Sequence, residues 1–390
     1  MDYSNVNQLA EAVFPYAVET RRHFHAHPEL SNQEFETTRY ILQELENMGI
    51  PCVTPAPTGV IAVLSGRKPG KTLGIRADID ALPIQELNEV PYCSQNPGVM
   101  HACGHDAHTA ALLATARVLR DLEFPGTVKL IFQPAEEYFP SGALAMMSGG
   151  DLDGCDAIIG AHVFSHLPVG SFCVEPGGKM AASASVNIRV KGKGGHGGMP
   201  HQAVDATVAA AAILLNLQTL SSRELDVHNP AVITIGTLQA GTAKNIIAED
   251  AFMTGTLRYF DNGLLPQLEA SIRRLAGHTA AAFRAEAEVE IVPGLPAVVN
   301  DPSLSQLAVK AVQGIGGSLL SVKPSAGVDD FAYYAQKAPC LYAQIGAGHD
   351  ASFPHHNPRF DLDERCLKQA VAWFTAFALD FLETDAPSAL

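Results

Sequence analysis

The densest chemistry in this sequence is the nonapeptide MHACGHDAH, with His101, Cys103, His105, Asp106 and His108. Cys103 and His105 lie two apart, directly before a helical run from Thr109 to Leu122, so both can face one ion from the same side. A thiolate beside an imidazole favours zinc or another borderline transition metal. The plainer alternative is a helix amino terminus capped by Asp106 beside a cysteine that merely packs. Glu136-Glu137 puts two carboxylates in a turn, where one can bind a metal while the other takes a proton from water. A solvated acidic turn would read the same way. His162 closes an apolar run, a place where histidine is more often a satisfied core residue than a ligand. His355 and His356 stand together in FPHHNPRFDLDE, and either can complete a coordination shell or face solvent. His196 sits in GKGGHGGMPH, whose glycines allow a close backbone approach to a ligand or simply make a hairpin turn.

These residues need elements to hold them. Helical periodicity appears at 33–48, 107–122, 204–220, 264–283, 303–313 and 364–382. Short apolar runs at 72–77, 128–132, 157–163 and 340–345 read as buried strands. Alternating helices and buried strands predict an open mixed, mostly parallel sheet. Ligand sites in such sheets lie beyond the carboxyl ends of the strands. Three strand ends carry charge here: LGIRA runs into Asp78-Ile79-Asp80, VKLIFQ into Pro134-Ala135-Glu136-Glu137, and AIIGA into His162.

A different pattern fills about residues 183–293. SASVNIRVKGKG, AVITIGTLQAG, AFMTGTLRYF and EAEVEIV, with two helices between them, give a strand-helix-strand-strand-helix-strand order, the split β-α-β pattern of a ferredoxin-like α+β unit. Another α/β stretch follows, so the unit reads as an insertion between residues 1–182 and 294–390. It carries 9 Lys and Arg against 10 Asp and Glu, so the net charge of −15 belongs almost entirely to the flanking parts.

That charge makes phosphate backbones and anionic lipid poor partners. Seven cysteines at irregular spacing do not resemble a disulfide framework, which favours a reducing compartment. The amino-terminal MDYSNVNQLAEAV lacks the basic segment and apolar core of a secretory signal, and a cytoplasmic location is expected.

Taken together, RRHFHAHPELSNQEFETT, GIRADIDALPIQE, MHACGHDAHTAALL, LIFQPAEE, GAHV, GKGGHGGMPH, GTLRYF and FPHHNPRFDLDE resemble the amidohydrolase branch of the aminoacylase and carboxypeptidase superfamily of dinuclear metallopeptidases. That branch includes hippurate hydrolases, N-acyl-amino-acid amidohydrolases, N-acetyldiaminopimelate deacetylases and auxin-conjugate hydrolases. The resemblance implies metal ligands at Cys103, His105, Glu137, His162 and His356, with Glu136 as general base. It implies two divalent ions per subunit (zinc, manganese, cobalt or nickel) and an inserted unit acting as a lid and dimerisation domain. His196 on that lid would stabilise the oxyanion, while Asn245 and Arg258 would hold substrate. Related carboxypeptidases carry His-x-Asp where this chain has Asp78-Ile79-Asp80, so Asp78, Asp80 and Asp106 are expected to support the ligands without binding metal.

The expected reaction is hydrolysis of the amide of an N-acyl amino acid (acetyl, benzoyl or aryl-acyl), with likeness to hippurate hydrolase. The alternatives are a metal-dependent carboxypeptidase or dipeptidase, and a non-catalytic binding protein on the same fold. The expected partners are a small-molecule substrate and a second copy of the chain, in a homodimer or higher homo-oligomer.

Overall fold

The computed structural model describes residues 2–349 and 352–384, and the chain divides into two compact units. The first comprises Met1–Gly177, Asn300–Val322 and Tyr333–Leu390. The second comprises Gly178–Val299 and Lys323–Ala332.

The first unit is built on an eight-stranded mixed sheet. Its centre is four strands in the order Pro125–Gln133, Lys68–Asp78, Ala157–Pro168 and Cys340–Gly348, each parallel to its neighbour. Val60–Ser65 adds antiparallel on one side and Ser171–Cys173 on the other. The central strands are apolar at successive positions because helices cover them, as parallel sheets require. Helices Tyr3–Ala26, His105–Arg120 and Arg365–Glu383 pack on one another, with Trp373, Phe374 and Phe377 buried in the last. Alanines 107, 110, 111 and 114 make the middle helix thin enough to be almost wholly buried.

Two elements differ from the sequence expectation. The Ala157–Pro168 strand does not stop at His162, because VFSHLP stays extended and pairs onward with Cys340–Gly348. The helix Tyr3–Ala26 escapes the periodicity test because its inward stripe of Ala10, Ala17 and Phe24 also carries Arg21 and His25, both buried.

The second unit is an antiparallel four-stranded sheet in the order Ala231–Ala240, Asp250–Tyr259, Ala182–Lys191 and Glu286–Pro293. Along Ala182–Lys191, buried residues alternate with more exposed ones, the period-2 pattern of a sheet covered on one face. Helices Ala206–Thr219 and Leu265–Ala282 pack on each other over a core that includes Val186, Ile188, Ile213, Leu268 and Ile272. The added segment Lys323–Ala332 is tied in at Ser325, whose N–H donates to Lys179 and whose carbonyl accepts from Ala181.

Candidate metal centre

The site of the first unit grows from the ends of its central strands and the start of one helix. Lys68–Asp78 delivers Asp78 and, two residues on, Asp80, both buried. Between Cys103 and His105 the chain turns at Gly104, with φ +92°, before the helix begins. A Cβ there would come within 2.4 Å of Val163 Cγ2, so glycine is required by conformation and by space. Ahead of Glu136-Glu137, Ala135 takes φ +49°, an uncommon value for a residue with a side chain. Its N–H is held by the buried Glu34 carboxylate at 2.8 Å.

Hydrogen bonds fix which ring nitrogen faces inward. Nδ1 of His105 lies 3.0 Å from the Asp80 carbonyl and 3.2 Å from its Oδ1, so it carries the proton. Nε2, buried and without a hydrogen-bond partner among the described residues, becomes a lone-pair ligand atom when the ring gives up its second proton. Nδ1 of His162 donates to the Val163 carbonyl at 2.7 Å, leaving Nε2 3.4 Å from Cys103 Sγ. Orientation of a ligating imidazole through its other nitrogen is the usual support of a metal site.

Asp80 Oδ2 accepts from the Glu137 N–H and from Ser31 Oγ. Glu137 Oε1 is buried, and His356 Nε2 stands 3.0 Å from it, a pairing that raises the His356 imidazole above its ordinary range. A carboxylate and an imidazole so placed can exchange that shared proton for a cation. Potential ligand atoms fall into overlapping sets within 4.8 Å of one another: Cys103, His105 and His162; Cys103, Glu137 and His356; and His105, Glu136 and Glu137. Cys103 belongs to the first two sets, so these residues would be able to hold divalent metal. Glu136 Oε2 lies 4.0 Å from His105 Nε2.

The electrostatics invite positive charge. Burial would raise the Asp78 carboxyl, but Arg76, His105 and His108 hold it well below the ordinary range. Burial would lower His105, but Asp78, Cys103 and Asp80 outweigh it and raise it well above the ordinary imidazole. Desolvation pushes the Cys103 thiol well up, so a thiolate there calls for a neighbouring cation. Burial, with His108 and His355 nearby, holds His162 neutral.

Not every residue of the expected set lies here. Asp106 is turned to Arg21 Nε at 2.7 Å and His25 Nδ1 at 2.8 Å, in a buried ion network that also takes in Glu86. It holds helices together and touches none of the candidate ligands by hydrogen bond. His355 directs Nε2 to the Val163 carbonyl at 2.9 Å, whereas His356 faces Glu137. Sequence reasoning gave no role to Ser31, Glu34, Arg21 or His25, although all lie in RRHFHAHPELSNQEF; for Arg21 and His25 the available signal was charge on an inward helical stripe.

In the second unit, Gly195–His196 pairs antiparallel with Ile246–Ile247, and the Gly197 N–H donates to the Asn245 carbonyl. His196 and Asn245 are therefore neighbours, both exposed. His196 Nδ1 accepts from the Gly198 N–H at 3.0 Å, which leaves Nε2–H as an outward donor. Arg258 is half-buried in the sheet opposite Val232 and Ser183, with Nη1 on the Leu257 carbonyl.

A thiol, imidazoles and carboxylates gathered at the ends of parallel strands define a metal-dependent hydrolase. The chain belongs to peptidase family M20/M25/M40, whose sequence model matches residues 74–380. It is 42% identical over 371 residues to the N-acetylcysteine deacetylase of Bacillus subtilis, covering 94% of this chain and 97% of that one. The N-acyl-L-amino acid amidohydrolase of Geobacillus stearothermophilus is 40% identical over 330 residues, 83% of this chain and 89% of the other. Among solved structures, the YXEP protein of Bacillus subtilis, a dinuclear metal binding peptidase of the M20 family, is similar with TM-score 0.86 and 38% identity, over 96% of this chain and all of that one. Among the described residues no helix is long and apolar enough to cross a membrane.

Proposed function

We propose that this chain hydrolyses the amide bond of N-acyl amino acids, releasing a carboxylic acid and a free amino acid. The observation that carries the reading is the pair of ligand-atom sets sharing Cys103, with the Glu136 carboxylate beside them. Relatives named for N-acetylcysteine and N-acyl-L-amino acids support the substrate class. In this reading Cys103, His105, Glu137, His162 and His356 hold two divalent ions, with zinc, manganese, cobalt and nickel all suited to the donors. Asp78 and Asp80 orient the histidines. When bound, the ions polarise the amide carbonyl and acidify a water.

Glu136 takes the proton of that water as its oxygen bonds to the acyl carbon, and delivers it to the amine nitrogen as the C–N bond breaks. The ferredoxin-like unit serves as a lid, bringing the His196 Nε2–H to the developing oxyanion, where a positioned donor has most effect. Asn245 and Arg258 bind the substrate, the guanidinium suiting a free carboxylate. Pairing of two copies through the lid completes the reading.

The test is Glu136→Gln, assayed with N-acetyl and N-benzoyl amino acids alongside dipeptides. Two metal equivalents should remain while turnover falls by about 10²- to 10⁴-fold. Near wild-type turnover in that variant would remove Glu136 as the base, and a preference for dipeptides in the wild type would favour a carboxypeptidase instead.

A further inference from the structure

We infer that His108 is a positioning residue that sets the place of the His162 ring through the backbone of Val163. Its imidazole lies in a set with Asp78 and His105 close enough to hold an ion, yet both ring nitrogens are already engaged. Nε2 is 2.9 Å from the Val163 nitrogen, and since an amide N–H can only donate, Nε2 accepts. The proton therefore sits on Nδ1, 2.6 Å from Asp78 Oδ1. The other oxygen of Asp78 is held by Arg76, whose Nε donates to Gln133 at 2.8 Å. No lone pair of His108 is left for a metal.

Val163 works as a crossbar, because its carbonyl, which belongs to the next peptide, is held as well. The Val163 carbonyl accepts from His162 Nδ1 at 2.7 Å and from His355 Nε2 at 2.9 Å. His108 thus fixes the His162–Val163 peptide, the two imidazole donors fix the Val163–Phe164 peptide, and the extended Val163 joins the two planes within its strand. The direction of His162 Nε2 toward Cys103 Sγ is set by these two peptides together, one bonded to the His162 Cα and the other accepting from its Nδ1. His355 is anchored to the same carbonyl, and its chain neighbour His356, whose N–H is bound by the Ala102 carbonyl, faces Glu137. One imidazole that binds no metal thus aligns the His162 and His356 ends of the site. This rests on the reading of His162 as a ligand.

Deleting a buried imidazole can unfold a chain, so two amides of similar size make the comparison. His108→Gln places an amide oxygen where Nε2 accepts from Val163. His108→Asn places an amide nitrogen where Nδ1 donates to Asp78 but leaves the Val163 N–H unmatched. Zinc affinity by chelator competition and the cobalt-thiolate absorption of the Co²⁺ protein are the readouts, with circular dichroism melts as the control for folding. The Asn variant should bind zinc about 10- to 100-fold more weakly, with a shifted cobalt spectrum, while the Gln variant stays close to wild type. Equal affinity and spectrum for Asn and wild type, or a Gln variant as impaired as Asn, would overturn the inference. His162→Ala separates the two claims: if it keeps full metal content the ligand reading fails, and if it loses metal while His108→Asn does not, the crossbar alone fails.

Discussion

Glu34 shows how much of the site depends on a residue that touches no substrate. Its carboxylate accepts from the Ala135 N–H and from Thr58 Oγ1, steadying the left-handed residue that precedes Glu136. Burial, with Asp80 adding to it, pushes its pKa up to about 6 from 4.5. The folded protein binds this proton more tightly than the unfolded chain does. Stability from the group is therefore full below about pH 4.5 and is lost as pH rises through about 6, a change of about 2 kcal/mol. Glu34→Gln keeps an acceptor for Ala135 and removes the titration. In metal-free protein it should flatten the stability profile over this window, as followed by denaturant melts at stepped pH. A profile as steep as wild type would show that the proton is bound elsewhere.

At the scale of elements, the turn into the His105–Arg120 helix is the least tolerant joint. Gly104→Ala would place a Cβ against Val163 while holding alanine at φ +92°, and should destabilise by about 1–3 kcal/mol. Because Val163 carries the histidine anchors, metal affinity should fall in the same variant; a chemical melt and a zinc titration read the two effects, and an unchanged pair would sink the argument. The glycine stands in plain view in MHACGHDAH, but its reason is a contact with a residue 59 positions away, which no spacing shows. What sequence made legible were elements with one clean period. The Ala206–Thr219 helix and the Pro125–Gln133 strand fall within a few residues of the expected ranges because apolar side chains alone define their buried faces. Elements whose inner faces carry charge were hidden: Tyr3–Ala26 buries Arg21 and His25 against Asp106, a pairing that exists only after folding. For the same reason Cys103, His105 and Glu137 could be picked out by type, while the orientation of Asp106 and the commitment of His108 to a backbone N–H could not.

Among the described residues two hydrophobic cores form, one in each compact unit, and the five proposed ligands, Cys103, His105, Glu137, His162 and His356, all belong to the first unit. Ligands that bind only folded protein stabilise the part that forms their site, by about 2.7 kcal/mol at a hundredfold excess over the dissociation constant. Metal should therefore raise the melting of the first unit by about 5–10 °C and leave the second where it is. The sequence supplies a selective reporter, since its single tryptophan, Trp373, is fully buried in the first core among Phe374 and Phe377. Tryptophan fluorescence follows the first unit, whereas far-ultraviolet circular dichroism follows both. Chelation should move the fluorescence transition to lower temperature and split the dichroism melt, with one component unmoved. A single transition that shifts as a whole in both signals would show that the two cores unfold as one cooperative body, and fluorescence indifferent to chelation would place the metal outside the first unit.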